Sequence, residues 1–165
     1  MAEMIVLDAV SVATIARAAR DAAAGLASTS GPADSALSML PDPVSAVLRR
    51  IRKARVSPAD PPLTTLTRYA GELDEIAEAV LSLDQREHEL EHQLRWWAER
   101  IVELEAQLSG DSASDIEIGR ELALFRGRIS GAYAMQRHYA QERTALADRH
   151  DEADAACAAE LAAPR

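Results

Sequence analysis

Between Leu66 and Leu108, apolar residues recur at alternating steps of three and four. The series is Leu66, Tyr69, Leu73, Ile76, Val80, Leu83, Glu87, Leu90, Leu94, Trp97, Ile101, Leu104 and Leu108, with Glu87 its one charged member. A repeat averaging 3.5 residues keeps one stripe of an α-helix turned toward a partner helix. A chain organised this way is built around a long helix that must be paired. Helices of this kind bind, space or dock other molecules more often than they carry out chemistry.

A second heptad follows. Ile118, Leu122, Phe125, Ile129, Ala132, Gln136, Tyr139, Arg143, Leu146, His150, Ala153 and Cys157 step by four and three. Gly110 is a left-handed stop for the first long helix, and Ser114 with Glu117 reads as a capping box that starts the second. Gly119, Gly127 and Gly131 weaken that second helix locally. Two segments of nearly equal length joined by a short turn predict an antiparallel helical hairpin over 62–162, with arms roughly 70 Å long at 1.5 Å per residue. Folding about Ser112 brings Glu87 near residues 136–140. Glu87, Gln136 and Arg143 are therefore expected to form a polar layer that sets the register at some cost in stability.

The first 61 residues predict short helices and linkers. Asp8 is an N-cap, after which Val12, Ile15, Ala16, Ala19, Ala22, Ala23 and Leu26 recur at helical spacing to about Ala27. Ser28–Asp34 is a linker by composition and is followed by a short apolar piece, Ala36–Leu40. Asp42 before Pro43 opens a helix over Val44–Val56, and Asp60 before Pro61 opens the long one. The start of the long helix and the segment Ala145–Ala163 are apolar on nearly every side, which requires more than one partner. The short helices are expected to pack there, on the open end of the hairpin, as a small bundle from which the two-helix coil projects. The whole is read as one structural unit of all-α class.

Leucine, alanine, glutamate and arginine dominate the 165 residues, and aromatics make up 4%. That favours thin helix-on-helix packing over a thick globular core. Arginine-rich and alanine-rich composition, with Lys53 the single lysine, suggests a GC-rich genome such as an actinobacterial one. The net charge of −9 disfavours general nucleic-acid binding. The strip Arg49, Arg50, Arg52, Lys53 and Arg55 carries +5, leaving −14 elsewhere. It either meets an anionic partner or is neutralised by Glu72, Asp74, Glu75 and Glu78 of the long helix. Cys157 is the only cysteine. It reads as a small apolar helix residue or as half of a disulfide across a symmetric dimer. No run approaches the ~20 apolar residues of a membrane span. Met1–Val12 has no basic region and carries Glu3 and Asp8. The expectation is a chain that is cytoplasmic, or exported without a cleaved signal.

His88-Glu89-Leu90-Glu91-His92 matches the H-E-x-x-H pattern of zinc hydrolases, in which two histidines hold the metal and the glutamate is the base. The register opposes that chemistry. Leu90 is a seam position, so His88 and His92 point to solvent, and a slim coil supplies no third ligand and no dry cavity. Glu89 and His92 lack the second E-x-x-H of a di-iron bundle. With no phosphate loop and no nucleophile–base arrangement, the chain reads as non-enzymatic, with no cofactor and no metal. Trp97 lies in the seam. Trp96 lies at its edge, where it either contacts a partner or covers the other arm near Ile129.

The tail His150–Leu161 (HDEADAACAAEL) resembles the end of helical substrates of actinobacterial type VII secretion, the WxG-like superfamily. In that family a helical hairpin ends in Y-x-x-x-D/E followed by an alanine-rich stretch. Here His150 stands at the tyrosine position and Asp154 at the acid, and no W-x-G turn is present. The alanine-rich helix over Asp8–Leu26 is also similar to these proteins. The resemblance implies export with a helical partner, or an adaptor role for a larger effector. Together these readings describe a helical protein–protein interaction module that engages a protein partner or itself, with Trp96, Trp97, Arg49, Arg50 and Arg52 as contact candidates. The alternative is a cytoplasmic or phage-structural coiled-coil scaffold.

Overall fold

The computed structural model describes residues 7–28, 31–53, 60–108, 110 and 112–163, and every regular element among them is a helix. The order is α1 (Ala9–Ala27), α2 (Asp34–Met39), α3 (Asp42–Lys53), α4 (Asp60–Gln107) and α5 (Ser112–Ala162). The fold is all-α. Helix α4 packs against α5 as a helical hairpin, and the shorter N-terminal helices pack against it.

The chain forms two compact units, Met1–Leu81 with Thr144–Arg165, and Ser82–Arg143. The sequence division at 61/62 does not coincide with either boundary. The reason is packing: α1, α2 and α3 share one core with the first part of α4 and the last part of α5. In that core Val12, Ala16, Ala19, Ala22, Leu37, Val44 and Leu48 meet Leu66, Leu73, Ile76 and Val80 of α4 and Ala153, Cys157 and Leu161 of α5. Alanine at five buried α1 positions, Ala16, Ala18, Ala19, Ala22 and Ala23, lets that helix approach closely, so many thin contacts replace a few thick ones.

In the second unit the core is a seam two helices wide. Leu83, Leu104, Leu122, Phe125, Ala132 and Tyr139 are buried. Leu90, Leu94, Trp97, Ile101, Ile118 and Ile129 are half-buried, because a two-helix seam shields only one stripe of each helix. Within each unit the two arms run antiparallel. Thr65 meets Glu160 and Arg149 meets Glu75 in the first unit, and Arg143 meets Glu87 and Arg126 meets Glu105 in the second. Along α4 the seam positions of the heptad are buried or half-buried from Leu66 to Leu104, and Leu108 lies exposed just past the helix end.

Helix ends follow local chemistry. The Asp8 side chain accepts a hydrogen bond from the Ser11 N–H at 2.9 Å, which caps α1 and holds the Asp8 carboxyl below its usual range. Gly110 adopts φ +84°, the left-handed geometry at which glycine is the unstrained choice. Helix α5 begins at Ser112, so the expected cap at Ser114 is a first-turn residue instead. Asp115 reaches back to accept the Gly110 N–H at 2.9 Å, which serves the purpose assigned to that capping box. Helix α3 begins at Asp42, one residue before its proline, and its expected extension to Val56 lies outside the described residues.

Gly25 shows where the α1–α2 connection doubles back. A Cβ there would stand 2.5 Å from the Pro32 Cα and 2.9 Å from the Gly31 carbonyl oxygen, both backbone atoms that cannot swing aside. Gly25→Ala is expected to destabilise the first unit by about 1–3 kcal/mol, although alanine is intrinsically the better helix former. Thermal denaturation followed by circular dichroism checks this, with Gly71→Ala as the control because a Cβ at Gly71 meets nothing.

Candidate functional site

Two polar insertions interrupt the apolar seam, one in each unit. In the first, the Tyr69 hydroxyl of α4 donates to Asp154 Oδ1 of α5 at 2.5 Å. His150 lies one turn before Asp154 with 13% of its side chain exposed, and its Nδ1 stands 3.8 Å from Asp154 Oδ2. Its Nε2 is buried without a hydrogen-bond partner. Burial raises the Asp154 carboxyl above the ordinary aspartate range, and the smaller opposing effects of the Tyr69 hydrogen bond and the His150 charge do not reverse it. Burial, together with the Asp154 carboxylate, raises the Tyr69 phenol, so Tyr69 stays protonated. The Cys157 thiol is pushed up to about 12, mainly by burial, and is therefore a poor nucleophile at neutral pH. Cys157 packs inside the core of the first unit, which suits the apolar-residue reading.

His150 and Asp154 are the residues that resemble an export signal. Both side chains are largely covered by helix packing, at 13% and 17% exposure.

In the second unit Arg143 donates to Glu87 Oε2 at 2.7 Å and to Asp84 Oδ1 at 2.6 Å. The Arg143 side chain is 25% exposed, and one terminal nitrogen, Nη2, donates to both carboxylates on one face of α4. Gln136, expected in the same layer, is exposed. Asp84 takes the third place in the polar layer, three residues before Glu87 and within reach of the same nitrogen. No heptad argument singled out Asp84, which lies beside the seam.

The described residues of the basic strip are not paired with the acids of α4. Arg52 pairs with Asp34 at the start of α2, at 2.7 Å, and Arg49 and Arg50 are exposed. Arg55 and the side chain of Lys53 lie outside the described residues. The acidic face of α4 that the strip was expected to neutralise is taken by other helices. Arg20 of α1 pairs with Asp74, and Arg149 of α5 lies 2.7 Å from Glu75 and 3.8 Å from Glu72.

His88 and His92 are exposed on α4 with ring centroids 4.6 Å apart. Among the described residues no three histidine, cysteine, aspartate or glutamate side chains form a group able to hold a metal ion. Among the same residues no helix is long and apolar enough to cross a membrane. An open groove of about 490 Å³ lies between α1 and α4, lined mostly by apolar atoms of Val10, Ala13, Ala77 and Leu81, with Arg17, Asp74 and Glu78 at its edges.

The two tryptophans divide as their register requires. Trp97 packs on Leu104, Leu122 and Phe125. Trp96 is 54% exposed, with its ring edge-to-face against Phe125 at 5.5 Å. It therefore rests partly on the other arm, at Phe125, and leaves half of a large apolar surface open.

These two polar layers make separable predictions. Tyr69→Phe removes the donor to a buried carboxylate and is expected to cost about 1–3 kcal/mol. Asp154→Asn keeps an acceptor for the Tyr69 hydroxyl and removes the buried charge. The folded-state pKa of Asp154 is raised, so its contribution to stability is greatest at acid pH and is lost as pH rises through the folded value. Asp154→Asn is therefore expected to equal or exceed the parent in stability at neutral pH, with its advantage shrinking on acidification. Urea titrations across the carboxylate range measure this. In the other layer, Arg143→Ala should destabilise by about 1–3 kcal/mol, since it leaves Asp84 and Glu87 facing each other unpaired. The double change Glu87→Leu with Arg143→Leu should recover that loss, as read by a double-mutant cycle.

Compared with protein families, with curated proteins and with solved structures, the chain matches none.

Proposed function

We propose that this chain is a non-enzymatic helical interaction protein that works as a substrate or adaptor of actinobacterial type VII secretion. The observation that carries the interaction part is where the exposed large apolar side chains lie. Among the described residues, seven of ten exposed large apolar side chains, Trp96, Val102, Leu108, Ile116, Leu124, Tyr133 and Met135, belong to the unit Ser82–Arg143, and Val10, Met39 and Leu81 to the other. Tryptophan, tyrosine, methionine and arginine on an otherwise polar surface are the residue types that dominate protein contacts. The buried titratable groups support the same reading. Tyr69 and Cys157 are held protonated, and the Asp154 carboxylate is satisfied by Tyr69. The secretion part rests on the resemblance of the tail and of α1.

A photo-crosslinking amino acid at position 96, compared with one at the exposed polar position 92, tests the interaction part in the native host. A discrete protein adduct at 96 and not at 92 is the expected result, and adducts at neither position would overturn it. The secretion part is read separately, as appearance of a tagged chain in the medium only when the type VII machinery is intact. Deleting 150–161 would remove the core residues Ala153, Cys157 and Leu161, so Asp154→Asn is the cleaner probe of the tail. A chain that crosslinks at 96 but stays inside the cell would favour the cytoplasmic or phage-structural scaffold.

A further inference from the structure

We propose that His88 and His92 form a two-histidine chelate on the outer face of α4 that binds a copper(II) ion. The site is independent of the interaction reading above.

Four histidines occur in the chain. His138 and His150 each lie against a carboxylate, 3.3 Å from Glu142 and 3.8 Å from Asp154. His88 and His92 make no hydrogen bond or ion pair among the described residues, and each ring stands against the other. The heptad explains their place. Leu83, Leu90, Leu94 and Trp97 mark the seam, and at about 100° per residue His88 and His92 fall on the side of α4 opposite it. Both are exposed.

Spacing and separation suit a single ion. Residues four apart on a helix stand one above the other. A metal–nitrogen bond of about 2.0 Å sets each imidazole centroid about 3.2 Å from the ion, so two imidazoles side by side on it have centroids about 4.5–5.2 Å apart. The His88 and His92 centroids are 4.6 Å apart. Their planes cross at 87°, and the broad second torsion of histidine lets each ring rotate to aim a nitrogen at the common point without moving the helix.

The donor set names the metal. Among the described residues no third histidine, cysteine, aspartate or glutamate completes a group here, so water fills the remaining places on the ion. A structural zinc takes four protein ligands. Copper(II) binds nitrogen donors most tightly of the first-row divalent ions, and its square geometry accepts two adjacent nitrogens with water at the other corners. The surrounding charge is mixed. Glu91, three residues after His88, is exposed and makes no ion pair among the described residues, and it favours the cation, whereas Arg95, three after His92, opposes it. The H-E-x-x-H pattern is used here for its two histidines alone, because an exposed helix face gives the ion no dry surroundings in which to run a hydrolysis. The two nitrogens meet on one ion only while this stretch is helical, so bound copper also stabilises the folded chain.

Copper(II) chloride titrated into the whole chain at neutral pH, with excess glycine present to outcompete isolated side chains, is the test. Tryptophan emission follows binding, since Trp96 stands four residues beyond His92 and copper(II) quenches a nearby indole. Electron paramagnetic resonance at one equivalent reads the donors. The expected result is one ion per chain with two nitrogens in its plane, affinity lowered at least about tenfold in His88→Ala and in His92→Ala, and no change in His138→Ala. Copper should raise the melting temperature of the parent and not of His88→Ala. The alanine variants alter exposed positions and should keep the parent's circular dichroism. Combining His92→Ala with Gln93→His, which puts the second histidine on another face, should fail to restore binding. Equal affinity in the parent and both alanine variants means an adventitious ion only and overturns the proposal. So does binding that either substitution leaves untouched, or that the shifted histidine rescues.

Discussion

The seam between α4 and α5 is the constraint on which the other helices depend. Neither long helix could persist alone in water on propensity, since their mean composition is balanced between apolar and charged residues and tertiary packing supplies most helical stability. Each buried seam leucine contributes about 1.5–3 kcal/mol when removed from water. In the first unit the seam side chains have a second duty. Leu66, Leu73, Ile76 and Val80 also cover the alanine face of α1 and the apolar faces of α2 and α3. An alanine-faced helix buries too little surface to fold independently, so α1 is helical because the seam offers it a wall.

Charges placed within such a seam cost stability and buy register. The Glu87–Arg143–Asp84 layer and the Tyr69–Asp154 pair differ in how that cost is met. Arg143 is matched by two carboxylates and remains partly wet, so its burial is cheap. Asp154 meets a neutral phenol and a histidine at 3.8 Å, a partner set too weak to hold the carboxyl at its ordinary acidity. A helical hairpin built only of leucine can slide by a heptad with little penalty. Pairs fixed at 87/143 and 69/154 make any slide expose a charge or a phenol to apolar surroundings, and each unit carries its own pin.

What the sequence made legible was periodic. The two heptads predicted the helices, their pairing and the Glu87–Arg143 contact, because side-chain spacing along a helix translates directly into a face. The readings that failed depended on information spacing does not contain. Gln136 shares the seam phase with Arg143, yet it is exposed, and Arg143 is the residue that reaches Asp84 and Glu87. The acids on α4 were matched by charge to the α3 strip, but Arg20 and Arg149 reach them first because α1 and α5 are the helices that flank that face. Gly25 sits in an alanine-rich helix without a sequence signal of its own, and its purpose appears only when the 31–32 backbone is seen beside it. His150 and Asp154 drew notice as a linear motif, whereas the burial of His150 follows from the same heptad that holds Leu146 and Cys157, and Asp154, beside seam residue Ala153, is covered where it meets Tyr69.

The heptad also explains why the second unit keeps so much apolar surface in water. A helix of a pair has two seam positions per seven residues to hide, and everything flanking them stays wet unless it is polar. From Ser82 to Arg143 the flanking positions are not uniformly polar. Trp96 rides over Phe125, Leu124 and Met135 stand beside the seam, and the seam residues Leu90, Leu94 and Ile101 are themselves only half-covered. In the first unit three additional helices absorb much of the equivalent surplus, leaving Val10, Met39 and Leu81 exposed. In the second no helix of the described chain absorbs it, and tryptophan is a costly residue to leave exposed without a contact to fill.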